Sequence, residues 1–299
     1  MILLWGLEAD SPLAAVRAQL EEIGAPTVFV DQREVLGARL DDGRLQLSSG
    51  TVDLAEVTAA YMRPYESNKL PVVARAGEAA QRRVAAFDEG LWAWAEAAPA
   101  LVVNRPSAMA HNGSKPYQVN QARALGFAVP ETLLTTDPAA VLAFLAEHGD
   151  VIYKSISAVR SVVTRLRASG LDRLQDVASC PTQFQAYVPG TDHRVHVVGD
   201  GVYCCRIEST ADDYRYAIRE ATVVERRPTA LPAEWADRCR ALARLEGLHV
   251  AGVDLRLTPA GEWCCFEINP SPAFTYYDTP GHEIARAVAG LLATAPVPA

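Results

Sequence analysis

Long apolar runs and net positive charge are both missing from this sequence. No stretch approaches the roughly 20 consecutive apolar residues that a membrane helix needs. The formal net charge of −8 argues against a nucleic-acid or anionic-membrane partner. The first residues carry no basic region and no cleavage site of a signal peptide, so they predict a buried strand. We therefore expect a cytoplasmic protein that binds neither nucleic acid nor a membrane.

Several common patterns of catalytic and binding sites are also missing. The six cysteines have neither disulfide-framework nor zinc-site spacing, which predicts buried thiols. No GxGxxG follows the first strand, which argues against a dinucleotide-binding oxidoreductase. No convincing Ser/His/Asp or Cys/His set is present, so we do not expect a nucleophilic side chain to carry the chemistry.

The order of predicted elements indicates an α/β plus α+β chain with three parts. Residues 1–106 begin with a strand, a helix and a strand, continue through a long helix, and end in a buried strand, which predicts a parallel α/β domain. Residues 107–182 predict a smaller α+β piece with two capped helices. Residues 183–299 alternate strands with helices and predict a second α+β domain.

The most informative segment runs from Asp254 to Asn269. It predicts a hairpin whose turn is ThrProAlaGly and whose two strands carry Asp254, Glu267 and Asn269. Alternate residues share a face of a strand, so Asp254 points the same way as Arg256, and Glu267 the same way as Asn269. Two carboxylates and an amide oxygen suit Mg²⁺, which prefers oxygen ligands.

Cations and a further polar pair lie upstream of this hairpin. Lys154 interrupts an apolar strand, where a lysine is costly to bury without an anionic partner such as a phosphate. Lys115 stands at a predicted helix start. Asp192 and Arg194 are two residues apart and share a face, which suits the organisation of a polar ligand.

The order of these signals resembles the ATP-grasp superfamily, in the branch with glutathione synthetase and the ligase that adds glutamates to a ribosomal protein. The resemblance covers nearly the whole chain and is most specific in GlyValAspLeuArg at 252–256 and PheGluIleAsnPro at 266–270. It implies an ATP-grasp fold with an N-terminal Rossmann-like domain, a small central α+β lid domain and a C-terminal α+β domain with the metal site.

The resemblance also implies roles for individual residues. Asp254, Glu267 and Asn269 would bind one or two Mg²⁺, with Mn²⁺ as a possible substitute, while Arg194 and Arg256 would lie on the substrate or γ-phosphate side. The residues implied in ATP binding are Lys115 and Lys154 at the phosphates, Gln185, Ala186 and Tyr187 at the adenine through backbone groups, Asp192 at the ribose, and Arg215 at the phosphates or an acyl phosphate.

Two features depart from the family pattern. The loop after the strand lysine is usually rich in glycine, whereas here it contains none and offers Ser155, Ser157, Arg160 and Ser161 as side-chain donors. Ala186 stands where relatives often carry an acidic residue. Since the adenine is read mainly by the main chain there, the second departure weakens the match little.

The reaction implied is the ATP-dependent joining of a carboxylate to an amine or another nucleophile through an acyl phosphate. Three acceptors stay open: a free amino acid or dipeptide, a ribosomal precursor peptide cyclised through its side chains, or a protein tail. ArgProTyrGlu at 63–66 and the compact size favour the peptide-modifying ligases. The alternative of a non-catalytic nucleotide-binding regulator is opposed by the intact metal-ligand set. Relatives are often homo-oligomers.

Overall fold

The computed structural model describes residues 1–156, 163–209 and 224–296. The first part of the chain is a parallel sheet with the strand order β2-β1-β6-β7, and a small antiparallel sheet, β3-β4-β5, is inserted between β2 and β6. The elements of this part are β1 Ile2–Gly6, α1 Ser11–Glu22, β2 Thr27–Asp31, β3 Arg39–Asp41, β4 Arg44–Leu47, β5 Gly50–Asp53, β6 Ala59–Arg63, α2 Pro71–Ala74, α3 Glu78–Ala97 and β7 Leu101–Val103.

A four-stranded sheet with the order β10-β9-β11-β8 forms the middle part. Two helices precede its first strand, and a run of 3-10 helix over 168–179 leads to its last. The elements are α4 Pro106–Ala110, α5 Lys115–Ala124, β8 Thr132–Thr135, α6 Pro138–His148, β9 Val151–Ser155, β10 Thr164–Arg165 and β11 Thr182–Ala186. The boundaries at 106/107 and 182/183 stay predictions, although β11 belongs by its pairing to this middle sheet.

The last part is a five-stranded antiparallel sheet with the order β14-β13-β12-β15-β16. Its elements are β12 Thr191–Val198, β13 Gly201–Ser209, β14 Val224–Thr229, α7 Ala233–Leu245, β15 Val250–Leu257, β16 Trp263–Asn269 and α8 Glu283–Ala293. The predicted hairpin is present, with Asp254 opposite Glu267. None of the helices in the described ranges is both long and apolar enough to cross a membrane.

Packing joins the first and last parts through a shared core. One face of the N-terminal sheet packs on α3, and the opposite face packs on α1 together with α8 and Phe274 from the last part of the chain. The C-terminal sheet buries one face against α7 and the end of α5, through apolar residues such as Val195, Val253 and Ile268. The opposite face of that sheet contributes Val198 and Val250 to the shared core, and the rest of that face is available for polar side chains.

Asn104 ties the N-terminal sheet to both ends of the predicted hairpin. Its side-chain amide donates to the carbonyl oxygens of Val250 at 2.7 Å and Pro270 at 2.6 Å. Its Oδ1 accepts from the backbone N–H of His249 at 2.9 Å and of Val250 at 3.2 Å. These bonds fix where β15 starts and where the chain leaves β16.

We expect Asn104→Ala to lower the free energy of unfolding by about 1–3 kcal/mol or more, because it leaves several backbone groups without hydrogen-bond partners. Urea denaturation measures the change. Asn120→Ala, an exposed position on α5, is the matched control and should stay within about 0.5 kcal/mol of the parent protein. Equal losses in the two variants would contradict the role given to Asn104.

Candidate active site on the C-terminal sheet

Three rows of side chains cross one face of the C-terminal sheet. Directly paired residues on neighbouring strands point to the same side, and successive rows on a face are about 6–7 Å apart. Taken from the end of β12 that follows the middle sheet, the rows are Asp192 with Arg256; Arg194 with Asp254 and Glu267; and His196 with Gly252 and Asn269.

The middle row concentrates buried charge. Arg194 Nη1 lies 2.5 Å from Asp254 Oδ1, and Lys115 Nζ, at the start of α5, lies 2.5 Å from Glu267 Oε2. The Arg194 and Lys115 side chains are each only 6% exposed. Charges removed from water need opposite charges nearby, so these pairs allow two carboxylates to face each other across a strand pair. Gln118 anchors α5 beside them, because its amide donates to the Ile268 carbonyl at 2.8 Å.

The donor set fits a hard divalent cation. Asp254 and Glu267 are opposite each other, and Asn269 lies on the same face, one row further along β16. Asn269 Oδ1 accepts from the Ser271 N–H at 2.9 Å, and an amide oxygen has a second lone pair for a metal. The three residues predicted as metal ligands therefore lie together on one face, and their role as ligands stays a prediction.

Arg256 belongs to a different row from the carboxylates. It lies two residues beyond Asp254 on β15 and is paired with Asp192 of β12, whereas the register shift between Asp254 and Leu255 affects the pairing with β16. Arg256 binds Asp192 through two bonds, of 2.7 and 2.9 Å, and donates to the Val188 carbonyl at 2.7 Å. The guanidinium beside Asp254 is that of Arg194. Asp192 and Arg194 share a face as expected, but each forms its ion pair with β15 and not along the strand.

The segment predicted to read adenine lies at the end of β11. Gln185 is buried, and its side chain donates to Thr132 Oγ1 at 3.0 Å. The N–H of Ala186 donates to the Glu131 carbonyl at 3.0 Å, and that of Tyr187 donates to the Asp150 carbonyl at 2.8 Å. These two N–H groups hold the middle sheet together, so a base bound here would meet other main-chain groups of the segment.

Two cations flank this segment. The centroid of the Tyr187 ring lies 4.0 Å from the guanidinium carbon of Arg165 and 5.7 Å from that of Arg256. Lys154, on β9, is buried and pairs in register with the equally buried Gln183 of β11. Of the predicted phosphate lysines, Lys115 therefore comes from α5 beside the row of charges, and Lys154 comes from β9 of the middle sheet. Arg215, Ser157, Arg160 and Ser161 lie outside the described residues, and nothing is described of the Ser155 side chain.

Arg63, at the end of β6, connects the N-terminal sheet to the loop after β16. It binds Asp10 at 2.7 and 3.2 Å, and its Nη1 donates to Ser271 Oγ at 2.9 Å and to the Pro272 carbonyl at 3.3 Å. Sequence reasoning did not assign this residue a role. Its partners lie 53 and more than 200 positions away, so no local pattern identifies them.

Gly252 is the second residue that sequence reasoning missed. A Cβ at this position would lie 2.3 Å from Arg194 Nη2 and 2.9 Å from Pro272 Cβ. The glycine therefore gives the Arg194 guanidinium its place over β15. A glycine inside a strand often marks such a close approach, and this was the signal available in the sequence.

Solved structures of ATP-grasp ligases share this architecture. PsnB, complexed with a minimal precursor, is 27% identical, with a TM-score of 0.80 and 99% of each chain covered. Macrocyclase MdnC from Microcystis aeruginosa MRC, bound with precursor peptide MdnA, is 21% identical, with a TM-score of 0.81 and coverage of 97% of this chain and 98% of MdnC. A RiPP-associated ATP-grasp ligase from Chryseobacterium gregarium, in complex with ADP and a leader and core peptide, is 21% identical, with a TM-score of 0.81 and coverage of 97% and 96%.

This chain has the ATP-grasp fold and is a ligase. The resemblance given by the sequence motifs is confirmed, as is the fold class. A further PsnB structure contains the minimal precursor, Mg and ADP, with 27% identity and a TM-score of 0.76 over 97% of this chain and 96% of PsnB. Neither a protein-family model nor a curated protein matches the sequence.

In the ligase, we expect Gly252→Ala to displace the Arg194 guanidinium from Asp254 while leaving the sheet folded, because the closest contacts fall on the far end of the flexible Arg194 side chain; Pro272 in the loop after β16 also has to shift slightly. Misplacement of a charged group by about 1 Å can cost roughly 100-fold in rate, so ADP formation should fall by about 10- to 100-fold. Gly290→Ala on α8 has no atom within 4 Å of the added methyl group and is the control. Unchanged turnover in Gly252→Ala would contradict the assignment.

His196 gives a prediction on pH. Burial, together with the neighbouring Arg194 charge, holds the pKa of His196 well below its usual 6.5. Below pH 6.5 the unfolded chain therefore binds a proton that the folded chain rejects, and stability falls by up to about 1.4 kcal/mol per pH unit. We expect His196→Leu to remove this component. Urea unfolding above and below the usual histidine pKa measures the difference in slope, and parallel slopes would contradict it.

Proposed function

We propose that the ligase uses Mg·ATP to activate a carboxylate of a peptide and joins it to a hydroxyl or amino group of the same peptide. The observation that carries the proposal is the middle row, where Asp254 and Glu267 face each other with Arg194 and Lys115 against them. This arrangement supplies the metal ligands and the cations that phosphoryl transfer needs for positioning and charge neutralisation.

The chemistry takes two steps. A carboxylate oxygen of the substrate attacks the γ-phosphorus of ATP, the bond to the β-phosphate oxygen breaks, and an acyl phosphate and ADP form. The oxygen or nitrogen of the nucleophile then attacks the acyl carbon, inorganic phosphate leaves, and the nucleophile releases its proton. The product is a lactone or a lactam. Neither step needs a covalent link to the protein, in agreement with the absence of a nucleophile set in the sequence.

The rows suggest an order for the ligands along the sheet. We place the adenine at 185–187 and the ribose near Asp192, whose carboxylate is held by Arg256. Lys115, Lys154 and Arg215 are proposed for the phosphates, with Arg215 also meeting the acyl phosphate. Asp254, Glu267 and Asn269 are proposed to hold one or two Mg²⁺, for which Mn²⁺ can substitute, and the bound metal would neutralise phosphate charge. Arg194 is proposed on the substrate side of this centre.

A peptide substrate is supported by PsnB, whose structure is complexed with a minimal precursor and which shares 27% identity over 99% of this chain. MdnC, of the same fold, is a macrocyclase bound with a precursor peptide. A free amino acid or a protein tail would use the same activation chemistry, so the acceptor has to be found by experiment. We also propose that the enzyme acts in the cytoplasm, does not bind nucleic acid, and forms a homo-oligomer.

The test is ADP formation by the purified protein with ATP and Mg²⁺ in separate pools of amino acids, of dipeptides, and of any small peptide encoded beside its gene. The expected result is ADP formation that depends on the peptide. The mass of the peptide product should be lower by one water for each bond formed. Turnover with amino acids alone would replace the peptide by a small-molecule substrate. Tight Mg·ATP binding without turnover in any pool would favour the regulator.

The metal assignment has its own variant. Glu267→Gln combined with Asn269→Ala should abolish ADP formation without unfolding the protein, because it removes one charged and one neutral ligand. Glu262→Gln, an exposed position in the turn of the same hairpin, is the matched control and should turn over normally. Retained turnover in the double variant would exclude these two residues as essential ligands.

A further inference from the structure

A cavity of about 450 Å³ opens at the carboxyl ends of β1 and β6. It belongs to the N-terminal sheet and not to the rows of charges. Its walls are mostly apolar, with Arg63, Asp10 and Ser271 at its polar side; the apolar lining residues are Leu7, Ala9, Met62, Pro64, Trp92 and Met109, with Tyr65 beside them.

The strand order makes this cavity a natural place for a ligand. In the order β2-β1-β6-β7 the chain runs from β1 to β2 on one side and returns to β6 on the other. The carboxyl ends of β1 and β6 therefore flank the point where the connections change direction, and open α/β sheets bind ligands in the crevice at that point.

The rim of the cavity is held in place by a buried side chain. Gln32, which is fully buried, accepts from the Tyr65 N–H at 2.7 Å and donates to the Tyr65 carbonyl at 2.7 Å and to Ser67 Oγ at 2.9 Å. These hydrogen bonds hold the Tyr65 backbone at the rim, although the residue is 50% exposed. An exposed aromatic side chain on a fixed backbone is suited to contact a ligand.

The polar side of the cavity leads directly to the proposed metal site. Arg63 donates to Ser271 Oγ at 2.9 Å, and the Ser271 N–H donates to Asn269 Oδ1 at 2.9 Å. The cavity therefore lies next to the third row of the sheet, while the adenine segment lies next to the first. In the proposed function, a nucleotide that extends from the first row would direct its γ-phosphate toward the cavity, which would then be the substrate side.

The charge of the cavity selects the kind of group that fits it. Arg63 is paired with Asp10 through two bonds, so its positive charge is already balanced. Apart from this pair and the hydroxyls of Ser271 and Tyr65, the lining is Leu, Ala, Met, Pro and Trp, which offers no further cation for a carboxylate of a ligand. An uncharged apolar group fits this chemistry, whereas the reacting carboxylate fits the cations of the middle row.

We infer that this cavity binds an aliphatic or aromatic side chain of the peptide substrate, from a residue next to the one that reacts. The inference rests on the proposed function and adds a specificity pocket to it. Leu7, Met62, Trp92 and Met109 would contact the side chain, and Tyr65 would cover it. The enzyme would then select peptides by the residue beside the reacting carboxylate as well as by the carboxylate itself.

The test reads binding in the cavity without requiring catalysis. The protein is labelled with fluorotryptophan, the Trp92 fluorine resonance is assigned with Trp92→Phe, and the probes are the N-acetyl amides of phenylalanine, alanine and glutamate. Burying a large apolar side chain is worth about 10-fold or more in affinity. The phenylalanine probe should therefore shift the Trp92 resonance at about a tenfold lower concentration than the alanine probe, with the Trp235 resonance on α7 as the internal reference.

Two variants of Ala9 locate the effect. Ala9 is exposed and lines the cavity, so Ala9→Phe fills the space without entering the core, and Ala9→Ser is the matched control. We expect Ala9→Phe to remove the shift and Ala9→Ser to keep it. An equal response to all probes, tighter binding of the glutamate probe, or an unchanged response in Ala9→Phe would overturn the pocket. Failure of the proposed function shows instead as absent peptide-dependent ADP formation, which this readout does not measure.

Discussion

The register of β15 with its neighbours β12 and β16 is the constraint on which the rest of the active site depends. It brings Arg194, Asp254 and Glu267 into one row, because directly paired residues share a face. A slip of one residue would turn all of these side chains to the other face. The alternating residues Val195 and Val253 are buried with α7 on that other face, so the hydrophobic core fixes the register and thereby the site.

Buried charge brings segments that are distant in the sequence together at the end of the hairpin formed by β15 and β16. Two facing carboxylates are unfavourable away from water unless cations lie beside them, and the cations come from separate elements: Arg194 from β12 and Lys115 from α5. The loop after β16 is bound further by Arg63 through Ser271 and by Asn104 through the Pro270 carbonyl. The active site is therefore also where the N-terminal sheet, α5 and the C-terminal sheet are joined.

Much of this arrangement could be read from the sequence, because its signals are local. The hairpin, the shared faces of Asp254 with Arg256 and of Glu267 with Asn269, and the burial of Lys154 follow from turn chemistry, strand alternation and an interrupted apolar run. The opposition of Asp254 to Glu267 did not follow, because it depends on a register shift of one residue beside Asp254 that has no local signature. The partner of Arg256 did not follow either, because Asp192 lies on β12, 64 positions away. The sequence also did not show that the Ala186 and Tyr187 N–H groups donate within the middle sheet, because their acceptors belong to other segments of the chain.

The distribution of polarity around the site separates recognition from chemistry. The C-terminal sheet supplies charge for a nucleotide, a metal and a carboxylate, whereas the crevice of the N-terminal sheet is nearly neutral and largely apolar. A hydrogen-bond chain from Arg63 through Ser271 to Asn269 joins the two regions. A substrate bound in the cavity would therefore be connected to the proposed metal ligand Asn269 through the Arg63 and Ser271 side chains and the Ser271 N–H.

The most direct measurement is a crystal structure with Mn²⁺ and AMPPNP, in which anomalous scattering locates the metal. The expected result is a metal peak between Asp254, Glu267 and Asn269, with the Lys115 and Arg194 side chains moved from the carboxylates toward phosphate oxygens. A metal bound elsewhere, with both ion pairs intact, would contradict the central claim that the middle row is the site of phosphoryl transfer.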